Sequence, residues 1–177
     1  MLLQRRRENL SKIAVQTKRF CGEPGVIVDD ADRRILQHLQ RDNGKPLHRL
    51  SEDVGLSVAA VSRRIQRLRE TGVIARDVSI VDPSKIGHPL TIIVEVSLVS
   101  EQIAEIDAAK RAFVAESSVQ QCYYVTGEAD FVLVVVVATM ADYEALTRRL
   151  FFGNHNVQRF RTVVVMDRVK IGLEVPV

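Results

Sequence analysis

The run FVLVVVVA at 131–138 leaves this chain few choices. It is far shorter than the ~20 apolar residues of a membrane-spanning helix. Most of it is valine, whose branched β-carbon suits a pleated strand better than a helix. Side chains alternate across a strand, so Val132, Val134 and Val136 share one face and Leu133, Val135 and Val137 the other. Both faces are apolar, and the segment 130–138 is expected as a central strand buried on both sides. A strand of this kind needs neighbours in a sheet and cover above and below.

The flanking segments supply them. TIIVEVSLV (91–99) places Ile92, Val94, Val96 and Leu98 on one face of a strand. QIAEIDAAKRAFVAE (102–116) is amphipathic, with Ile103, Ile106, Ala109 and Phe113 directed inward. VQQCYYVTG (119–127) reads as a strand ending at Gly127. ADYEALTRRLFF (141–152) is a helix with Tyr143, Leu146 and Leu150 inward, and RFRTVVVMDRVKI (159–171) contains the last strand. The order strand, helix, strand, strand, helix, strand is the ferredoxin-like arrangement, with both helices on one face of a four-stranded antiparallel sheet. The other face then carries uncovered valines. Patches of that size are uncommon on monomers, so sheet-to-sheet dimerisation is expected.

The first half follows a different pattern. DDADRRILQHLQRDNG (29–44) opens with acids suited to a helix N-terminus, carries Ile35, Leu36 and Leu39 as its stripe, and stops at Asn43-Gly44. Pro46 fits a first helical position. Leu47, Leu50 and Val54 recur at spacings of three and four, and Gly55 can end that helix in the left-handed conformation. Ser57 is placed to cap a third helix, which Gly72 ends. Three short helices with a tight turn between the last two make a helix-turn-helix. VIARDVSIV (73–81) follows as a small extended segment and DPSKIGHP (82–89) as a loop, so the domain boundary is set at 88/89.

The third helix keeps Val61, Ile65 and Leu68 for the core at i, i+4, i+7, yet carries Arg63, Arg64, Arg67 and Arg69 against a single Glu70. In this motif the early turns of the last helix enter the major groove of double-stranded DNA. Ser57, Ala59, Ala60, Ser62, Arg63, Arg64 and Arg67 are therefore the candidate DNA-binding residues. An alanine methyl can meet a thymine methyl, and an arginine a guanine edge or a phosphate. A solvated basic face, or Arg64 paired internally with an acid, is the competing role. A twofold dimer would present two such helices to half-sites about 34–36 Å apart.

Charge distribution agrees with two domains of different partners. Residues 1–28 carry net +4, 29–88 net +2 and 89–177 net −3. Residues 1–27 read as a basic extension, either a tail or an arm adding phosphate contacts. The two cysteines, Cys21 and Cys122, show no metal, redox or disulfide spacing. With no signal peptide and no spanning segment, the expected location is the cytoplasm, away from membranes. His38, His48, His88 and His155 are scattered, so no metal site is expected. No nucleophile–base pair stands out, and Ser51, Ser57 and Ser62 suit caps or phosphate contacts. Neither catalytic residues nor a cofactor are expected.

VDDADRRILQHLQRDNG, LSVAAVSRRIQRLRETGVI and the following VDPSKIG resemble the N-terminal half of the Lrp/AsnC (feast/famine) transcription factors, and YVTGEADFVLVV (124–135) resembles that family's effector segment. The resemblance covers about residues 28–172. It implies an α+β chain with a winged-type helix-turn-helix domain (28–88) joined to a ferredoxin-like βαββαβ domain (89–177) for effector binding and dimerisation. It also implies homodimers that assemble to tetramers or octamers, with a small-molecule effector, an amino acid or related metabolite, bound between dimers. By motif position the effector residues are Thr126, Gly127, Glu128, Asp130, Met140, Thr162 and Val164. Two departures stand out: Val58 occupies a position where many members have Pro, and GNHNV (153–157) replaces a Pro-Gly-Val turn.

From the residues themselves, Gly127 serves either a close approach to a ligand or a tight hairpin turn. Asp130 serves either a ligand ammonium or the backbone amides of that turn. Met140 and Val164 are pocket walls or core. Three other functions compete with an amino-acid-responsive regulator: an architectural DNA protein without effector, a sirohaem-decarboxylase-like enzyme, and a stand-alone metabolite sensor. The enzyme needs cationic and His groups around a tetrapyrrole cavity, and only His155 and the hinge His88 are on offer.

Overall fold

The structure is a computed structural model and describes residues 26–177. Apart from Val26 and Ile27, the basic extension expected at 1–27 lies outside the described residues. The chain divides into two compact units. One runs to Ile80 and takes back Ile171–Val177, and the other spans Val81–Lys170. The units meet ahead of the 88/89 boundary that the Pro and Gly punctuation suggested.

The first unit holds three helices: α1 (Asp30–Arg41), α2 (Leu47–Val54) and α3 (Val58–Glu70). Asp29 and Asp32 form a reciprocal capping box at the start of α1, with N–H to carboxylate distances of 2.8 and 3.1 Å. Pro46 caps α2 from outside rather than occupying its first turn. Gly55 ends α2 with φ +72°, a conformation that costs any side-chain-bearing residue, and turns the chain into α3 within three residues. Ser57 Oγ accepts the Ala60 N–H at 3.3 Å. Ile35, Leu50, Val54, Val61 and Ile65 make the small core, with Leu39, Leu56 and Ile74 against it. The segment 73–81 forms no strand pairing, and Val78 and Ile80 stand exposed. The returning residues lie on α1, where the Gln40 amide both donates to Val175 O (3.1 Å) and accepts from Val175 N (2.8 Å). Gln37 donates to Val177 O.

The second unit begins with a 3-10 turn, Pro83–Ile86, capped by Asp82. It continues through β1 (Leu90–Leu98), α4 (Ile103–Ala115), β2 (Val119–Tyr124), β3 (Phe131–Val137), α5 (Met140–Thr147) and β4 (Val157–Val164). The sheet order is β2-β3-β1-β4 with antiparallel pairs throughout, the expected ferredoxin-like topology. Ile92, Val94, Val96, Leu98, Phe131, Leu133, Val135 and Val137 face the helices and pack against Ile106, Ala109, Phe113, Tyr143, Leu146, Leu150 and Phe151. Phe113 anchors this layer through edge contacts with Phe131 (5.2 Å) and Phe151 (6.2 Å). A capping box of Thr139 and Asp142 starts α5, which passes into a π-helical turn, Arg148–Phe152.

Four expectations are corrected. Ile103 is 78% exposed, because it opens α4 and the apolar stripe begins one turn later at Ile106. The strand expected over 119–127 ends at Tyr124, where the chain leaves the ladder for the 125–130 turn. The helix expected to run through 152 loses its α pitch after Thr147. β3 is buried on one face only: Phe131, Leu133, Val135 and Val137 are covered, whereas Val132, Val134 and Val136 are half-buried on the face without helices.

Candidate DNA and effector sites

The arginines of α3 do not share one environment. Arg64 donates from Nη1 to Asp29 Oδ2 at 2.7 Å and to Asp32 Oδ1 at 2.9 Å. Arg67 bonds the other oxygen of Asp32 and reaches Ile27 O at 3.4 Å. Arg69 pairs with Asp77 at 2.8 Å. Only Arg63 makes no ion pair or hydrogen bond among the described residues.

Asp32 is fully buried, and its two oxygens are taken by Arg64, Arg67 and the Asp29 N–H. Burial works against its charge, but the hydrogen bonds from Arg67 and then Arg64 hold its carboxyl below the usual range. Asp29 is lowered to about 2, first by the Asp32 backbone N–H and next by Arg64. Arg64 is raised in turn, by Asp29 and then Asp32. Two carboxylates thus brace two guanidiniums, and the brace holds α3 against the start of α1.

A depression of about 430 Å³ lies over this brace, lined by Asp29, Ala60, Arg63, Arg64 and Arg67. Its three cations and two acids, Asp29 on the wall and Asp32 beneath, leave a net single positive charge. Ala59, Ser62 and Arg63 are exposed beside it, Ala60 is partly covered, and Ser57 is occupied as the cap. Gln66 was not among the sequence candidates, yet it continues the exposed stripe Ala59, Ser62, Arg63, Gln66 at i, i+3, i+4, i+7. That spacing was readable beforehand. At present its amide donates to Glu70 at 2.8 Å.

The effector candidates fall into two groups. Thr126, Gly127, Glu128 and Asp130 lie in the turn before β3, at the end of the sheet where Phe131 pairs with Val96. Met140 follows β3 at the opposite end, where Val137 pairs with Leu90, and Val164 pairs with Ile92 nearby. The length of β3 between them is about 20 Å at ~3.3 Å per residue. One protomer therefore does not gather all seven. Thr162 lies midway, its hydroxyl 2.6 Å from that of Tyr143. Met140 and Val164 are half-exposed rather than core.

Within the turn, Gly127 has φ +137°, and a Cβ there would meet nothing within 4 Å, so the backbone conformation rather than space requires glycine. The Glu128 carbonyl accepts from Ser97 Oγ at 3.2 Å. Asp130 Oδ2 accepts the Leu98 N–H at 2.7 Å, standing in for a carbonyl where the β1–β3 ladder stops. Both roles weighed for Asp130 stay available, because Oδ1 has no bond among the described residues. Arg159 Nε donates to Ser97 Oγ at 3.3 Å. Neither Ser97 nor Arg159 was singled out from sequence, because only the strand register brings them beside the turn. No three potential metal-ligating side chains gather among the described residues, and no helix there is long and apolar enough to cross a membrane.

Known proteins share this arrangement. Residues 28–75 match a winged helix-turn-helix DNA-binding model, and residues 91–175 match the Lrp/AsnC ligand binding domain. An HTH-type transcriptional regulator of Sinorhizobium fredii is 45% identical over 85% of this chain and 89% of its own. The leucine-responsive regulatory protein of Haemophilus influenzae is 36% identical over 81% of this chain and 86% of its own. An AsnC family transcriptional regulator from Agrobacterium tumefaciens superposes with TM-score 0.79 at 31% identity, covering 84% of this chain and 96% of its own. A feast or famine regulatory protein from M. tuberculosis, complexed with L-methionine, does so with TM-score 0.76 at 30% identity, covering 84% and 98%. With a DNA-binding motif in one unit and a ligand-binding fold in the other, this chain belongs to the Lrp/AsnC family of transcriptional regulators.

Proposed function

We infer that this regulator binds double-stranded DNA through the exposed stripe of α3 and adjusts its binding or assembly to an amino acid held at the 126–130 turn. The observation that carries the DNA half is the division of labour among the arginines: Arg63 stands free beside Ala59, Ser62 and Gln66, while Arg64 and Arg67 are tied to Asp32. Arg63 reads a guanine edge or a phosphate, and Gln66 can turn from Glu70 to an adenine. Arg64 and Arg67 hold the helix at the right depth and contribute little free charge. Salt dependence is then shallow for a four-arginine helix, since log K falls by ~0.9 per phosphate neutralised.

The uncovered sheet face supports self-association. Ile93 and Val163 join Val132, Val134 and Val136 there, flanked by the Glu95–Arg161 pair at 3.6 Å. A second copy covering this face makes a twofold dimer that duplicates α3. The separation of the two effector groups favours higher assembly, tetramer or octamer, because residues from different copies can complete what one protomer leaves apart. The protein acts on DNA in the cytoplasm as a regulator, not as an enzyme. An amino acid shifts its state only through unequal affinity for two assemblies. L-methionine on the M. tuberculosis relative makes amino acids the first ligands to try.

Selection of bound DNA with and without the twenty amino acids, read together with light-scattering mass, tests this. The expected result is a two-half-site sequence whose retention or complex mass changes with one or a few amino acids. Sequence-independent retention with no response to any of them would instead indicate an architectural protein.

A further inference from the structure

The chain passes between its two units twice, at 80/81 and at 170/171. At the first passage Arg69 holds Asp77 at 2.9 Å and Asp82 accepts the Ser84 N–H at 3.0 Å. Val78, Ser79, Ile80 and Val81 between them make no hydrogen bond among the described residues. At the second passage Val165 N donates to Thr91 O at 2.9 Å, and residues 166–174 are then without a hydrogen bond among the described residues. The chain is next held at Val175. The Gln40 amide donates to its carbonyl at 3.1 Å and accepts its N–H at 2.8 Å, the two-point exchange an antiparallel neighbour would make. Gln37, at i−3 on the same side of α1, donates to Val177 O at 3.1 Å. Leu36 beside them is 8% exposed, yet it lies outside the core cluster of the three helices. Ile171, Leu173 and Val175 themselves keep most of their surface exposed. The segment is therefore held through its backbone by two glutamines, and not by burial of its apolar side chains. Exposed hydrogen bonds of this kind are weak enough to open and specific enough to re-form.

We propose that 171–177 is a strap that limits how the DNA-binding unit turns on its linker, with Gln37 and Gln40 as the positioning residues that hold it. Two compact bodies joined by one short linker are free to tilt and rotate. Docking the strap closes the chain into a loop that runs through the linker, the sheet and 166–174. Orientations that would stretch 166–174 beyond ~3.3–3.6 Å per residue are thereby removed. Because Asp29 and Asp32 brace α3 to α1, a restraint on α1 is a restraint on the reading helix. A dimer that reads two half-sites gains from this, since orientational freedom already given up is not lost again on binding. The proposal rests on the DNA reading above. It concerns the spacing of half-sites, and the choice of bases stays with α3.

The test uses the full-length protein and DNA carrying the selected half-site once, or twice at a series of spacings. Wild type is expected to prefer one spacing and to lose affinity roughly ten-fold when half a helical turn, about 5 bp, is inserted. Gln37→Ala/Gln40→Ala, which puts good helix formers in α1, should bind the single half-site like wild type and lose most of that preference. Val175→Pro removes the bonded N–H without touching α1 and should act the same way, to a smaller extent. Limited proteolysis should cut 171–177 sooner in both. If the double variant melts early, Val175→Pro decides by the same two readouts. A segment cut sooner with the wild-type spacing profile overturns the strap and leaves the DNA reading standing. A segment cut no sooner than in wild type, or a wild type indifferent to spacing, does the same. A wild type that binds the half-site no better than random DNA overturns both.

Discussion

The two units handle their unsatisfied groups in opposite ways. The first closes its charges on itself: Asp29, Asp32, Arg64 and Arg67 form a brace across α1 and α3, and Arg69 takes Asp77. The second buries one face of its sheet under two helices and leaves the other, with Ile93, Val132, Val134, Val136 and Val163, open to a partner. The difference teaches where each unit's function resides. A unit that satisfies its own charges leaves few groups over, and here these are Arg63 and its exposed neighbours, the reading surface proposed above. A unit that leaves half a sheet uncovered offers an apolar face to a partner, the association proposed above.

The strongest way to break this contrast is to spoil the open face. Val134→Glu places a carboxylate at the centre of the apolar patch, and burying it unpaired costs several kcal/mol. Self-association should weaken by on the order of 100-fold or more, measured as light-scattering mass against concentration, while the helix-turn-helix unit melts as before. An unchanged mass would show that the sheet face is not the contact.

Next in size is the brace. Asp32→Ala removes a buried carboxylate that answers two guanidiniums and one end of the capping box. Since Arg64 and Arg67 are partly solvated, the cost is set at roughly 2–3 kcal/mol, below that of a fully buried pair. Hydrogen exchange should show faster opening at Val61, Ile65 and Leu68 but not at Leu133 or Val135. Equal acceleration in both units would remove the distinction between them.

Acid sharpens the same comparison more gently. Asp29 is lowered to about 2, and Asp32 and Asp53 also lie below the ordinary carboxylate range. A carboxylate depressed on folding stabilises above its unfolded value and loses that contribution as pH falls through the folded value. The first unit should therefore weaken as pH drops from about 4 toward 2. Asp82 and Glu116 are the corresponding groups in the second unit, both outside its aliphatic core. A pH titration followed by NMR should see α1 and α3 loosen before the sheet, and simultaneous loss would count against the brace. Smallest of all, Gln40→Ala removes the hydrogen-bond pair with Val175, worth about 0.5–1.5 kcal/mol each when protected and less when exposed. Limited proteolysis should then cut 171–177 sooner, with no change in the sheet.

Most of the backbone plan was legible in the residues. Val61, Ile65 and Leu68 named their own face by spacing, Gly55 and Ser57 named the turn, and the alternation of apolar runs carried the strand and helix order. What escaped was long-range pairing. Nothing within α3 distinguishes Arg63 from Arg64, because the acids that separate them lie 35 and 32 positions earlier. Ser97 and Arg159 meet 62 positions apart, and only the β1–β4 register shows it. The exposure of Ile103 escaped for a local reason: a residue in the first turn of a helix can match the apolar period and still lie beyond the edge of the layer it would cover. Motif position likewise grouped Met140 and Val164 with Gly127 and Asp130, although β3 holds them at opposite ends of the sheet.

In the proposed division of labour, one arginine of α3 reads DNA while its neighbours support it. Affinity for the selected DNA site, measured across salt concentrations alongside thermal melting, tests this in Arg63→Gln and Arg67→Gln. Arg63→Gln should lose about 10- to 100-fold in specific affinity, as expected for one good base contact, with melting unchanged. Arg67→Gln should lower melting while keeping the sequence preference. The reverse pattern, with Arg63→Gln binding like wild type and Arg67→Gln losing sequence preference without loss of stability, would contradict the account.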